Sequence, residues 1–540
     1  MVMVKRVLIL LALAVTLALP FVLRPRQAAT QQADDTLVII TPHNEAIRYE
    51  YTTAFREWYR QKTGRTVFID WRVIGGTSEI ARFLESEYIS SFQNHWKNTL
   101  GRNWSMEVQG AFANPRLPAD APAEAREARE AFLGSEVGCG IDLFFGGGSY
   151  DFIRQAVAGR LVPARILQTH PEWFADGVIP RSYAGEEYWD PEGRWIGNVL
   201  SSYGILYNKD AIARLGLEHP PEAWADLTNP QLLGEVAVCD PTKSGSIAKA
   251  FENLIQQQMQ IRLHALQREP GNLSPAELEA RAVREGWDEG MRIMRLIGAN
   301  ARYFTDSSQK PPIDVAQGNS AAGICIDFYG RYQAEAVTRR DASGRLVYVT
   351  PRGGTVSSVD PIGVLRGAPH RDVAEAFIEF TLSMEGQKLW NFKVGTPGGP
   401  VQFALRRLPV RRDYYTEATW KAYQSDPEAE PYAVDDQLVY QPGWTGSLFR
   451  EMSFGIRVMC LDTHAELVEA WRAINQAGQP PQAMAVLNDM SLLGYDRMFS
   501  VVKPALNSKN KVDEVRLARE LGAQLRAQYR RAAELARAGL

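Results

Sequence analysis

Asp240-Pro-Thr-Lys-Ser-Gly-Ser246 lies between a short apolar run, Gly234-Glu-Val-Ala-Val-Cys239, and a helix-like stretch that begins near Ile247. It reads as a buried strand, a tight polar turn and a helix start. The apolar run suits a sheet interior, and Pro241 closes it. Ser244, Gly245 and Ser246 leave backbone N–H groups and hydroxyls free at a helix N-terminus, where the dipole favours negative charge. The stretch is either a cradle for an anionic or polar ligand or an ordinary helix cap. Its surroundings must decide, because strand, Gly/Ser turn and helix recur in many α/β proteins.

The same unit repeats upstream. Thr36-Leu-Val-Ile-Ile40 is a buried-strand run, Asn44 caps a helix with Glu45 in its first turn, and Ile47, Tyr51, Phe55 and Trp58 follow at helical spacing until Gly64. Val67-Phe-Ile-Asp-Trp71 is a second strand, with Ile74-Gly-Gly-Thr-Ser78 as its turn. Gly140-Ile-Asp-Leu-Phe-Phe145 is a third, followed by Gly146-Gly-Gly-Ser149 and a helix over 150–158. That glycine turn lacks the lysine of a phosphate-binding loop and the spacing of a dinucleotide fingerprint. Residues 199–207, 321–326, 347–349 and 360–365 read as further strands, and 248–297 as a long helical stretch broken near 270–274. Repeated strand, turn and helix predict parallel sheets and an α/β fold.

A chain of 540 residues exceeds one core and implies two or three domains. A net charge of −3 argues against nucleic acid as a partner. Lys5-Arg6, an apolar run over 7–23 and a small polar stretch up to Ala33 form the layout of a secretory signal peptide over 1–33. Arg24 and Arg26, directly after the apolar run, are untidy for cleavage and leave an uncleaved anchor as the alternative. Periodicity dissolves over 92–134, where Trp96 and Trp104 stand in polar sequence, and this reads as a surface insertion. From 401 to 540 the chain is rich in arginine and aromatic residues and mainly helical. It ends in an amphipathic stripe of Val515, Leu521, Leu525, Tyr529 and Leu535 that suits packing on its own protein. Cys139, Cys239, Cys325 and Cys460 lack metal-site spacing, and Cys239 and Cys325, both near strand ends, are candidates for a disulfide.

The order of these pieces resembles the extracellular solute-binding proteins of bacterial ABC importers, in particular the type II periplasmic-binding fold of the ferric-ion-binding and related proteins. The resemblance is carried by Asp142-Leu-Phe-Phe-Gly-Gly-Gly148 with Gly159-Arg-Leu-Val-Pro163, Tyr203-Gly-Ile-Leu-Tyr-Asn-Lys-Asp210, Trp224-Ala-Asp-Leu-Thr-Asn-Pro230, the opening stretch, and Ala374-Glu-Ala-Phe-Ile-Glu-Phe-Thr-Leu-Ser-Met-Glu-Gly-Gln387. It implies two α/β lobes, the first from 36–202 and 350–400 and the second from 203–349, with the helical extension over 401–540 outside them. Ligand would be held in the cleft between the lobes and delivered to an ABC-transporter permease. The protein would be a periplasmic monomer, without catalysis and without a required cofactor. Hinge closure would be its motion.

Ligands of open α/β sheets bind at the C-terminal ends of strands. The candidate ligand-binding residues are therefore His43, Asn44, Glu45, Gly76, Thr77, Ser78, Gly147, Gly148, Ser149, Tyr203, Lys243, Ser244, Gly245, Ser246, Asp327, Tyr329 and Arg331. In the ferric-ion branch, a His after the first strand, a Glu and two adjacent Tyr bind the metal. Here His43 and Tyr329 fall at the His and first Tyr positions and are the candidate metal ligands. The second Tyr position is Gly330, and the acidic position falls within 146–148, which is all glycine. Two cargo classes stay open: ferric ion, with or without a synergistic anion, and a small anionic organic compound held by hydroxyls, amides, Lys243 and Arg331. An anchored ligand-sensing or structural receptor is the alternative function. An exported hydrolase is disfavoured, since neither Gly-x-Ser-x-Gly nor His-Glu-x-x-His occurs.

Overall fold

The computed structural model describes residues 33–269, 271–432, 437–508 and 510–540; the leader expected over 1–33 lies outside them except for Ala33. Two sheets are built from β1 (Asp35–Ile40), β2 (Val67–Arg72), β3 (Leu143–Phe145), β4 (Leu161–Val162), β5 (Ile196–Ser201), β6 (Tyr203–Asn208), β7 (Val236–Cys239), β8 (Ala301–Thr305), β9 (Ala322–Ile326), β10 (Leu346–Val349), β11 (Ser358–Leu365) and β12 (Leu408–Pro409). The first sheet runs β12-β5-β11-β3-β1-β2, with β4 beside β11, and the second runs β8-β7-β9-β6-β10. In each sheet the strands that follow the strand–turn–helix pattern are parallel, β1 with β2 and β3, and β7 with β8 and β9. The strands next to the crossovers, β5, β6, β10 and β11, pair antiparallel.

The stretch 199–207 is two strands. Leu200 and Ser201 pair with β11, whereas Tyr203 onward pairs with β9, so the chain changes sheets at Ser202. It returns between Val349 and Ser358. The two crossing segments are tied where Tyr203 N–H donates to Thr355 Oγ1 (3.0 Å).

Local chemistry sets the helices that point at the seam. Asn44 caps helix Glu45–Thr63 by accepting from Ile47 N–H, and Gly64 ends it at φ 72°. Ser244 caps Gly245–Arg268, accepting from Ile247 N–H at 3.3 Å. This helix lies against Pro275–Asn300, and the close approach depends on Gly286, where a Cβ would sit 2.3 Å from Met259 Cα.

The segment expected to be a surface insertion is instead a small aromatic core. Phe92, Trp96, Phe112 and Phe132 are buried together, with Phe92 stacked on Phe112 at 4.8 Å. Spacing hides this core because its members come from separate elements, Phe92 from the end of helix Thr77–Asn94 and the others from short turns and helices after it. The extension also begins later than 401, since Leu408–Pro409 pair with β5. Beyond it, the chain crosses the first lobe, where Tyr440 N–H donates to Ala184 O (2.8 Å). It then packs helices His464–Gln476 and Lys511–Arg537 beside the helix pair of the second lobe, with Trp471 donating to Asn300 (2.8 Å). Leu521, Leu525, Tyr529 and Leu535 are buried on this protein's own core, while Val515 is exposed.

All four cysteines are free thiols, which overturns the Cys239–Cys325 pairing. Burial pushes the Cys139 thiol up to about 11 and those of Cys239 and Cys460 to about 12. A thiol-reactive disulfide reagent at pH 8 should therefore label the folded protein slowly. After unfolding without reductant it should titrate four thiols per chain; a count of two would restore the disulfide.

Candidate ligand-binding site

Helix N-termini from both lobes meet at a seam. Gly76 caps Thr77–Asn94 and Gly148 caps Ser149–Ala158 on the first lobe, facing Ser244 and Gly245 of the second. At position 76 the approach requires glycine, since a Cβ there would fall 2.2 Å from Lys243 O; Gly148 lies in ordinary contact with Gly245. Gly147, at φ 107°, leaves room for the Thr77 side chain beneath it. Lys243 Nζ bridges the seam to Glu79 Oε1 at 3.1 Å. Ser149 and Ser246 stand half-buried beside these turns, their hydroxyls without a protein partner among the described residues. Such convergence of orphan N–H groups and helix dipoles suits an anion.

One acid lies inside this ring. Asp151 is buried, and its Oδ2, which has no hydrogen-bond partner, lies 3.0 Å from where a Cβ on Gly245 would be. Burial lifts its carboxyl to about 6, against the opposing pull of Arg154, Arg82 and Ser78.

The floor of the seam is different in character. His43, buried beneath Gly146, offers Nε2 to Arg407 Nη1 at 3.2 Å. Arg407 is fully buried and pairs with Asp360 Oδ2 at 2.7 Å; its Nη2 also donates to Ser201 Oγ. Phe328 of the second lobe lies over the guanidinium at 4.4 Å. Burial lowers the His43 pKa, Asp360 opposing and Arg407 assisting, so the ring is neutral at pH 7. Although burial pushes the Asp360 carboxyl up, Arg407 and His43 hold it below the usual carboxylate range. Tyr329 packs on Phe328 at 4.1 Å, and burial raises its hydroxyl. Among the described residues no group of three or more His, Cys, Asp and Glu is arranged to hold a metal ion.

The structure thus brings His43, Tyr329, Gly147 and Gly148 to the seam together with Thr77, Ser78 and the turn from Lys243 to Ser246. Other candidates serve elsewhere. Asn44 is a helix cap, and Glu45 is an exposed first-turn residue. Asp327 and Arg331 pair with each other at 2.6 Å, and Arg331 Nη2 also donates to Arg406 O, so this arginine is tied to the C-terminal segment. Tyr203 is buried at the crossover. Sequence reading missed Ser201, Asp360 and Arg407. The signal for Asp360 was a carboxylate opening an apolar strand; Arg407 sat unmarked in an arginine-rich stretch.

The two α/β lobes joined by paired crossovers define a type II periplasmic-binding fold. Residues 141–409 match the family model of the bacterial extracellular solute-binding proteins, and this region of the chain belongs to that family. An uncharacterized protein of Haemophilus influenzae is 25% identical over 249 residues, 46% of this chain and 60% of that one. The phosphoglycerate transport regulatory protein PgtC of Salmonella typhimurium is 25% identical over 196 residues, 36% of this chain and 40% of its own. The chain thus spans less than two thirds of the length of these curated relatives. Solved structures of similar shape include the periplasmic binding protein AfuA of Actinobacillus pleuropneumoniae with fructose-6-phosphate (17% identity, TM-score 0.49, 79% of this chain and 99% of that one). Iron-bound HitA of Pseudomonas aeruginosa is another (17%, TM-score 0.45, 78% and 99%).

Asp151 gives the seam a pH signature. Its folded pKa of about 6 lies above the ordinary aspartate value of 3.8, so the native state binds the proton more tightly than the unfolded chain. That stabilising contribution is complete below about pH 4 and is lost as pH rises through 6. Asp151→Asn mimics the protonated form and should raise stability by up to about 3 kcal/mol at pH 8. Below pH 4 it should change little; parallel urea-midpoint curves for the two proteins from pH 3.5 to 8 would refute this account.

Proposed function

We propose that this protein is an exported substrate-binding protein that captures a small solute bearing a phosphate or carboxylate group at the interlobe seam. It hands this cargo to the permease subunits of an ABC importer in the membrane. The protein works as a periplasmic monomer, soluble or tethered by its N-terminal segment, and binds its cargo without chemical change. The observation that carries this reading is the meeting of the helix N-termini at Gly76, Gly148 and Gly245 with Lys243 among them. The name of the Salmonella relative, which refers to phosphoglycerate transport, agrees with it. Ferric cargo fits less well, because the His43 Nε2 lone pair already accepts from Arg407.

A ligand-sensing receptor domain is the second reading, supported by one feature. The C-terminal extension grips both lobes through Tyr440, whose N–H bonds Ala184 of the first lobe while its hydroxyl donates to Glu252 of the second (2.9 Å).

A thermal-shift screen against phosphoglycerate, sugar phosphates, inorganic phosphate, dicarboxylates and ferric nitrilotriacetate tests the proposal. A true cargo anion at a hundred times its Kd should stabilise the protein by about 2.7 kcal/mol. Lys243→Ala should weaken that binding about tenfold and flatten its salt dependence. Stabilisation by the ferric complex with none by any anion would overturn the anion reading.

A further inference from the structure

The floor of the seam already holds a cation, and it belongs to the protein. Arg407 has no exposed surface. Its Nη1 donates to His43 Nε2 (3.2 Å), and its Nη2 meets Asp360 Oδ2 (2.7 Å) and Ser201 Oγ. Since Nε2 accepts, the proton of the neutral ring sits on Nδ1, which is buried without a partner, as is Arg407 Nε. The His43 Nε2 lone pair and the Asp360 carboxylate, 3.7 Å apart, are two donors of the kind that bind a metal ion such as zinc, with the Ser201 hydroxyl beside them. The Arg407 guanidinium already bonds all three. A metal ion there would have to take the lone pair and carboxylate from a guanidinium that stays protonated, with like charge at hydrogen-bond distance.

The backbone is built to deliver this side chain. Buried Glu50 accepts from the N–H groups of Val401, Gln402 and Phe403 (2.8, 2.8 and 2.7 Å), docking the segment on the first lobe. Downstream, β12 pairs with β5. Between these anchors Arg406 adopts φ 54°, a left-handed conformation uncommon for a residue with a side chain. Its guanidinium goes to Asp426 and to Glu335 (2.8 Å) of the second lobe, while that of Arg407 goes to His43, Ser201 and Asp360 of the first. Phe328 at 4.4 Å and Trp390 at 5.3 Å enclose the guanidinium of Arg407.

We propose that Arg407 is a resident cation that fills the seat formed by His43, Asp360 and Ser201 and bars metal ions from it. Arg407 thus determines cargo class: the floor of the cleft is closed to metals, and recognition is left to the outer part of the seam. This assignment stands on the geometry of the floor and is separable from the anion reading.

The test is titration of Zn2+ into the full-length protein by calorimetry in phosphate-free buffer, using wild type, His43→Ala, Arg407→Gln and the double variant. Wild type and His43→Ala should take up Zn2+ equally. Arg407→Gln should bind Zn2+ at least tenfold more tightly than wild type, the gain should vanish in the double variant, and methylguanidinium should compete with the metal. A folded Arg407→Gln protein, judged by circular dichroism, that gains no Zn2+ would sink the proposal. So would uptake of Zn2+ or ferric nitrilotriacetate by wild type that is lost in His43→Ala. Should Arg407→Gln not fold, that second comparison decides alone: equal uptake supports the assignment and unequal uptake refutes it. Phosphate titrated into wild type reports on the anion reading separately.

Discussion

A guanidinium removed from water must find partners for its charge and its donors, and Arg407 finds them only where three parts of the chain meet. Leaving Asp360 buried without its partner would cost about 3–5 kcal/mol, so the pair is strongly held once formed. Its formation requires the floor of the first lobe and the docked segment after Val401 to be in place together, and Phe328 of the second lobe covers the guanidinium at 4.4 Å. The floor of the seam therefore depends on an interaction that no single element could make. It also explains why His43, placed after β1 with its ring against Gly146, is a hydrogen-bond acceptor in this fold.

A second buried charge cluster works on the same principle. Lys249 Nζ lies 2.6 Å from Glu186 and 2.9 Å from Glu252, with the ring of Tyr440 centred 3.3 Å away. Glu186 comes from a short hairpin of the first lobe, Lys249 and Glu252 from helix Gly245–Arg268, and Tyr440 from the extension. An opening motion that drew the helix from the hairpin would strip a buried lysine of its carboxylate, a costly separation in a medium of low dielectric. Motion at the seam is thereby confined, and the extension takes part in that confinement.

The outer seam is governed by backbone rather than by side-chain charge. Glycine at 76 lets the first lobe approach the Lys243 carbonyl, and the helix dipoles add a positive field with no flexible side chain to order. Lys243 and Glu79 span the seam as a partly exposed pair, which contributes little to stability. Function and stability are thus divided between an accessible rim of N–H groups and a sealed floor of ion pairs.

The strands, the caps at Asn44, Gly64 and Ser244, and the strand-end turns were legible in sequence because each depends on neighbours within a few residues. Apolar runs, periodicity and capping residues carry that information directly. The same local signals placed Gly76, Gly148 and Gly245 at helix starts. They could not show that residues 199–207 divide between two sheets, that Phe92 and Phe132 share a core, or that Arg331 turns to Asp327 and the C-terminal segment. They also could not single out Arg407, since one arginine in a basic stretch resembles the next until burial distinguishes them. What the sequence determined by itself was the type of fold and the chemistry of its turns. Only the tertiary structure decided which charges face each other across the lobes, because burial and pairing arise between residues hundreds of positions apart, such as His43 and Arg407.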